Sequence, residues 1–123
     1  MFSHEPQERL AVEPSDRVLE IGFGGGETLH QLIEKAGFVV GLGRSSDVIR
    51  RAKSKFSLAV SCNRAAFQQG GVNALPFEGA SFDRVLTVNT VYFWESHDDA
   101  FREIHRVLIP QGQMVPGSAT AIG

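Results

Sequence analysis

The chain has 123 residues, 42% of them hydrophobic, and its 12 basic and 14 acidic side chains leave a formal charge of -2. That length makes one domain burying roughly two thirds of its unfolded surface, and that charge gives no global field to recruit nucleic acid or an anionic membrane. A single cysteine, Cys62, excludes an internal disulfide and suits a reducing compartment, and no secretory leader or membrane-spanning run is visible, so a cytoplasmic location without membrane insertion is expected.

Residues 1–16 are polar, carry prolines at 6 and 14, and read as a lead-in. The stretch Val18-Leu19-Glu20-Ile21-Gly22-Phe23-Gly24-Gly25-Gly26 follows, and the rest of the chain can be placed by it. Its apolar part lacks alternation, as expected of a strand buried on both faces of a parallel sheet. Leu29, Leu32, Ile33 and Ala36 then form one helical stripe, with Gly37 placed to end that helix in a left-handed conformation. The glycines therefore sit where a strand turns into a helix. There they permit backbone conformations that a Cβ forbids, and the positive end of the helix dipole faces whatever binds.

Phe38-Val39-Val40-Gly41-Leu42 reads as a second, parallel strand. Ser45 or Ser46 caps a helix carrying Val48, Ile49, Ala52 and Phe56, and the basic cluster Arg50-Arg51-Ala52-Lys53-Ser54-Lys55 reads as its solvated face. A third strand is expected near residues 65–69, then a turn and an apolar hook at Leu75-Pro76-Phe77. A fourth strand covers residues 82–89, and Ser96-x-x-Asp99 opens a helix with an apolar stripe at Ala100, Phe101, Ile104, Val107 and Leu108. Pro110 is expected to stop that helix, with a fifth strand starting near Gly112. This alternation defines an α/β fold, an open Rossmann-like parallel sheet with helices on both faces and a ligand across the carboxyl ends of the strands.

The dinucleotide fingerprint requires a third glycine where this chain has Glu27. Glu20, Gly22, Gly24 and Gly26 instead supply acidic-x-Gly-x-Gly-x-Gly, which resembles the first motif of class I S-adenosylmethionine-dependent methyltransferases. Further stretches resemble the same family in order. Val40-Gly41-Leu42-Gly43-Arg44-Ser45 is similar to the end of its second strand, Gln69-Gly70-Gly71-Val72-Asn73-Ala74-Leu75-Pro76-Phe77 to its adenine loop, Phe82-Asp83 to the opening of its fourth strand, and Arg106-Val107-Leu108-Ile109-Pro110-Gln111-Gly112 to its turn into the fifth.

The resemblance implies strand order 3-2-1-4-5, a methyltransferase domain over residues 17–115, a flexible tail over 116–123, and S-adenosylmethionine as cofactor. It implies that Gly22, Phe23, Gly24 and Gly26 lie against the methionine portion, with Glu20 holding the network around the amino group. Arg44 would flank the ribose and adenine, Val72 and Asn73 the adenine, and Asn89 would meet the methionine end through its backbone. The chain also departs from the pattern. Gly43 stands where the family has the acid that binds the ribose hydroxyls, Gly71 replaces an aspartate of the adenine loop, Gln111-Gly112 replaces Gly-Gly, and the family's last strands are missing.

Methyl transfer from a sulfonium needs little side-chain chemistry, so no catalytic residue is assigned; Tyr92, Trp94, Glu95 and His97 are the side chains near the active edge. The histidines and Cys62 show no metal-ligand spacing. Three readings stay open: a methyltransferase on a small-molecule or lipid-like acceptor, a catalytically inactive relative or fragment, and an NADP-dependent oxidoreductase using Arg44. An exposed edge strand would also favour self-association.

Overall fold

The computed structural model describes residues 12–23, 25–87 and 97–116. Five strands form one sheet: β1 (Arg17–Ile21), β2 (Phe38–Gly43), β3 (Ala65–Gln69), β4 (Phe82–Thr87) and β5 (Leu108–Pro116). Their spatial order is β3-β2-β1-β4-β5 and every neighbouring pair is parallel, as the alternation of elements and the resemblance required. The helices are α1 (Glu27–Lys35), α2 (Ser46–Lys55), α3 (Ser57–Ser61) and α4 (His97–Val107).

The sheet separates two cores. Leu29, Leu32 and Ala36 of the α1 segment join Ile49 and Ala52 of α2 against Val18, Val39, Ala65, Phe67 and Leu86. On the other face Ala100, Ile104 and Val107 of α4 cover Leu19, Ile21, Val40, Leu42, Phe82 and Val85. Odd and even positions of β1 thus serve different layers, so the uninterrupted apolar run is the sequence of a strand covered on both sides. Ser45 caps α2, its hydroxyl accepting from the Asp47 and Val48 amides at 3.1 and 3.4 Å.

Several expectations are corrected. Phe101, expected on the buried stripe of α4, is 44% exposed, and Leu108, expected on that helix, opens β5. Gly37 does not take up a left-handed conformation: α1 ends on Ala36 in extended geometry. Close packing explains the glycine, because a Cβ there would lie 2.6 Å from the Pro14 carbonyl oxygen. Nor does Pro110 stop α4. That helix ends at Val107 and β5 starts at once, pairing Leu108 with Phe82 before a register break that brings Gln113 opposite Arg84. Pro110 falls in that irregular stretch, where a missing N–H costs the ladder little. The strand also runs past residue 115, since Pro116 pairs with Thr87. Among the described residues, no helix is long and apolar enough to cross a membrane.

Candidate functional site

The glycine turn leaves β1 at the carboxyl edge of the sheet, between the ends of β2 and β4. Gly22 (φ 76°) and Gly26 (φ 91°) both occupy the left-handed region that disfavours any Cβ. The Gly22 amide donates to the Leu42 carbonyl at 2.9 Å, and the Gly26 amide closes the turn on the Phe23 carbonyl at 3.0 Å. As the N-cap of α1, Gly26 offers no side-chain acceptor, so the first-turn amides are left for another partner. Gly26 is also a packing requirement: a Cβ would sit 3.0 Å from Cε2 of Phe56. Lys55 fastens the turn to α2 by donating to the Gly25 carbonyl at 2.9 Å.

Glu20 lies beneath this turn on the face shared with Val18 and α1. It is 0% exposed, and neither carboxyl oxygen has a hydrogen-bond partner. Burial, reinforced by Glu27 in the first turn of α1, pushes its pKa up to about 8. An unpaired buried carboxylate is too costly to persist, so the free protein keeps this group neutral at pH 7. Phe23, expected among the cofactor contacts by its position in the motif, gives its ring to the core, 5.5 Å from that of Phe67. The left-handed backbone of Gly22 breaks the alternation of β1, so residue 23 joins Val18 in the core under α1 and α2.

At the end of β2, Gly43 is buried and has no positive φ. A Cβ would find ordinary contacts of 3.4 to 3.5 Å with Phe23, Ile49 and Val48. Arg44 is exposed, and its carbonyl accepts from Gln69 Nε2 at 3.0 Å. The Gly70 amide donates to the Gly43 carbonyl at 2.9 Å, bringing the loop after β3 beside the end of β2. In that loop Gly71 has open space where a Cβ would go, Val72 is buried in the core under α4, and Asn73 is half-buried. Gly24, Asn89, Tyr92, Trp94 and Glu95 lie outside the described residues, as does the side chain of His97.

Three residues here were not singled out by the sequence. Glu103 and Arg106, one turn apart on α4, brace the loop: Glu103 Oε1 accepts from the Leu75 amide at 2.7 Å, and Arg106 donates to the Phe77 and Leu75 carbonyls at 2.8 and 3.0 Å. Their i,i+3 spacing was visible, but not their target. Thr87 ends β4 with a fully buried hydroxyl that has no partner. Register with Ile21 puts it on the face opposite Glu20. Among the described residues no cluster of His, Cys, Asp and Glu could hold a metal ion. A groove of about 320 Å³ flanks the turn on the α2 side, lined by Phe23, Gly26, Val48, Arg51, Lys55 and Phe56. Gly43, Gly71, Val72 and Asn73 do not line it, so it is separate from the positions expected to hold a nucleoside.

A parallel sheet whose first strand ends in a glycine turn over a buried acid, beside a loop from the third strand, defines a Rossmann-like ligand-binding domain. The family follows from comparison with known proteins. Residues 19–115 match the model of the methyltransferase domain, and the chain belongs to that family. It is 34% identical to the uncharacterized methyltransferase sll0829 of Synechocystis, over 90% of this chain and 50% of that protein. It is 29% identical to the erythromycin 3''-O-methyltransferase of Saccharopolyspora erythraea, over 94% of this chain and 39% of that one. The crystal structure of YcgJ from Bacillus subtilis superposes with a TM-score of 0.78 at 27% identity, covering 87% of this chain and 45% of that one. The chain thus spans about half the length of such relatives or less.

Proposed function

We propose that this chain is the cofactor-binding part of an S-adenosylmethionine-dependent methyltransferase, acting on a small-molecule or lipid-like acceptor and holding its cofactor weakly. The observation that carries the reading is the orphaned carboxyl of Glu20 under a glycine turn whose helix amides are uncapped. A carboxyl and a row of free amides side by side suit a ligand that presents an ammonium and a carboxylate together, as an amino-acid tail does. The fit is poorer on the nucleoside side, where Gly43 and Gly71 offer no acceptor for ribose hydroxyls or an adenine amine.

When bound, S-adenosylmethionine supplies a methyl group on a sulfonium leaving group. The chain's own contribution is then positioning. Glu20 and the turn fix the amino-acid end, the 70–77 loop braced by Glu103 and Arg106 borders the nucleoside, and the acceptor is held in line at the edge beyond β4. The relative named for erythromycin supports a small-molecule acceptor.

The missing acids favour a second reading, a binding protein of the same fold without turnover. NADP-dependent reduction is opposed by Glu27 at the sixth fingerprint position. Isothermal titration with S-adenosylmethionine, S-adenosylhomocysteine and NADPH separates the S-adenosylmethionine readings from the NADP one, and a methyl-transfer assay separates turnover from binding alone. Binding of the first two in the high micromolar to millimolar range is expected, and selective binding of NADPH overturns the proposal. β5 forms one edge of the described sheet, and we expect self-association through it, to be tested by light scattering.

A further inference from the structure

We infer that ligand capture at the glycine turn is proton-linked: the neutral carboxyl of Glu20 gives its proton to solvent as a cationic amino group arrives, making affinity for amino-acid-bearing ligands pH-dependent. The inference rests on the cofactor reading above and adds to it a mode of regulation.

The geometry carries the first half. Glu20 sits in the middle of a five-stranded sheet, flanked on its own face by Val18 of β1, Gly41 of β2 and Leu86 of β4, none of which titrates or donates a side-chain hydrogen bond. From α1 the charge acting on it is Glu27, of its own sign. The cations of α2 near the turn are Lys55, already donating to the Gly25 carbonyl, and Arg51, exposed at the rim of the neighbouring groove. No described group therefore compensates a charge on Glu20, and desolvation keeps the proton on.

An ammonium brought to the carboxyl edge reverses that balance. An opposite charge within a few ångströms favours the ionised form, and a charge-assisted bond replaces an unsatisfied one. The step balances as a neutral acid plus an ammonium ligand giving a carboxylate–ammonium pair and one proton in bulk water. Below the carboxyl's own pKa, each pH unit lowers the population of the ionised, binding-competent form, so affinity falls roughly tenfold per unit. With that pKa at about 8, close to one proton leaves per ligand bound at pH 7.

The test is titration calorimetry of the chain with S-adenosylhomocysteine at pH 7, in phosphate and in Tris. The two buffers differ widely in ionisation enthalpy, so the difference in observed heat counts protons released. We expect nearly one proton for the natural chain and none for Glu20→Gln beyond the ligand's own contribution, with roughly tenfold tighter binding at pH 7 than at pH 6 only in the natural chain. In parallel, carboxyl carbon-13 shifts of the ligand-free chain should show the Glu20 signal titrating well above the ordinary carboxylate range. Binding with equal heats in both buffers overturns the linkage and leaves the cofactor reading standing, as does a Glu20 signal that titrates near 4.5. No heat with any ligand, while Glu20 still titrates high, overturns the cofactor reading and the linkage with it.

Discussion

The two ends of the sheet are built on opposite principles. At the amino edge nearly every charge is answered. Asp83 Oδ2 accepts from the Arg17 amide at 2.8 Å and from its guanidinium at 3.4 Å, Asp16 lies 3.9 Å from Arg84 and accepts from the Glu13 amide at 2.9 Å, and the Asp16 carbonyl takes the Gly37 and Phe38 amides. At the carboxyl edge Glu20 and Thr87 are buried without partners, and two glycines hold left-handed backbone. The same strands run through both ends, so the difference is not one of fold. Satisfied groups stabilise one end, and unsatisfied groups stand at the other, where the proposed ligand would bind.

The largest expected effect tests whether Glu20 is as unsupported as the comparison requires. Its pKa rises from 4.5 in the unfolded chain to about 8 in the folded one, so the folded state binds more protons between those values. The contribution to stability is complete below pH 4.5 and lost as pH rises toward about 8, at roughly 1.4 kcal/mol per pH unit. Urea midpoints should fall steadily from pH 5 to about 8 for the natural chain, levelling off above that, and stay flatter for Glu20→Gln. Parallel curves would mean that Glu20 is paired after all, and the contrast between the edges would fail.

Next in size is the strain in the turn. Gly26→Ala forces a side chain into left-handed backbone and against Phe56 at 3.0 Å, for an expected loss of about 1 to 3 kcal/mol. Gly71→Ala, with open space and no positive φ, should be nearly neutral. Equal losses in chemical denaturation would show that the two glycines do not differ as their environments say.

Much of this was legible in the residues. The apolar runs of β1 and β2 betrayed burial on both faces, the stripes of α1 and α4 their core sides except at the exposed Phe101 and at Leu108, which opens β5, and the glycine spacing the tight turn that Gly22 and Gly26 make in left-handed backbone. Pairings made across the sheet could not be read. Nothing local in Gly37 tells of the Pro14 carbonyl behind it, and nothing in Arg106 tells that its guanidinium reaches the Leu75 and Phe77 carbonyls, some thirty residues away. The ring direction of Phe23 was equally hidden, because it depends on Phe67 across two strands. Pro110 misled because a register break, a property of the β4–β5 pair, absorbs it.

The proposed weakness of the nucleoside side can also be tested by adding acids. The backbone at Gly43 and Gly71 is not left-handed, so aspartate strains neither, and Gly71 has free space around it. On the proposed reading, each added acceptor should tighten S-adenosylmethionine binding about tenfold, the value of one charge-assisted bond. The apolar wall of Phe23, Ile49 and Val48 around position 43 makes Gly71→Asp the variant with less to displace. Calorimetric affinities unchanged in both variants would mean that main-chain groups or Arg44 already hold the nucleoside.

The smallest effect belongs to the amino edge. The Arg17 side chain is 48% exposed and that of Asp83 21%, so solvent screens their attraction and an isolated pair of this kind contributes about 1 kcal/mol or less. Asp83 also accepts the Arg17 amide, a neutral donor whose bond is less sensitive to salt. Asp83→Ala should therefore cost about 0.5 to 1.5 kcal/mol in urea, of which only the guanidinium share disappears in 1 M salt. The residual loss at high salt isolates the amide bond. A loss above about 3 kcal/mol would place Asp83 in a coupled network with Asp16 and Arg84. The amino edge would then owe its stability to long-range charge rather than to local satisfaction of each group, and the two ends of the sheet would differ in cooperativity and not only in completeness.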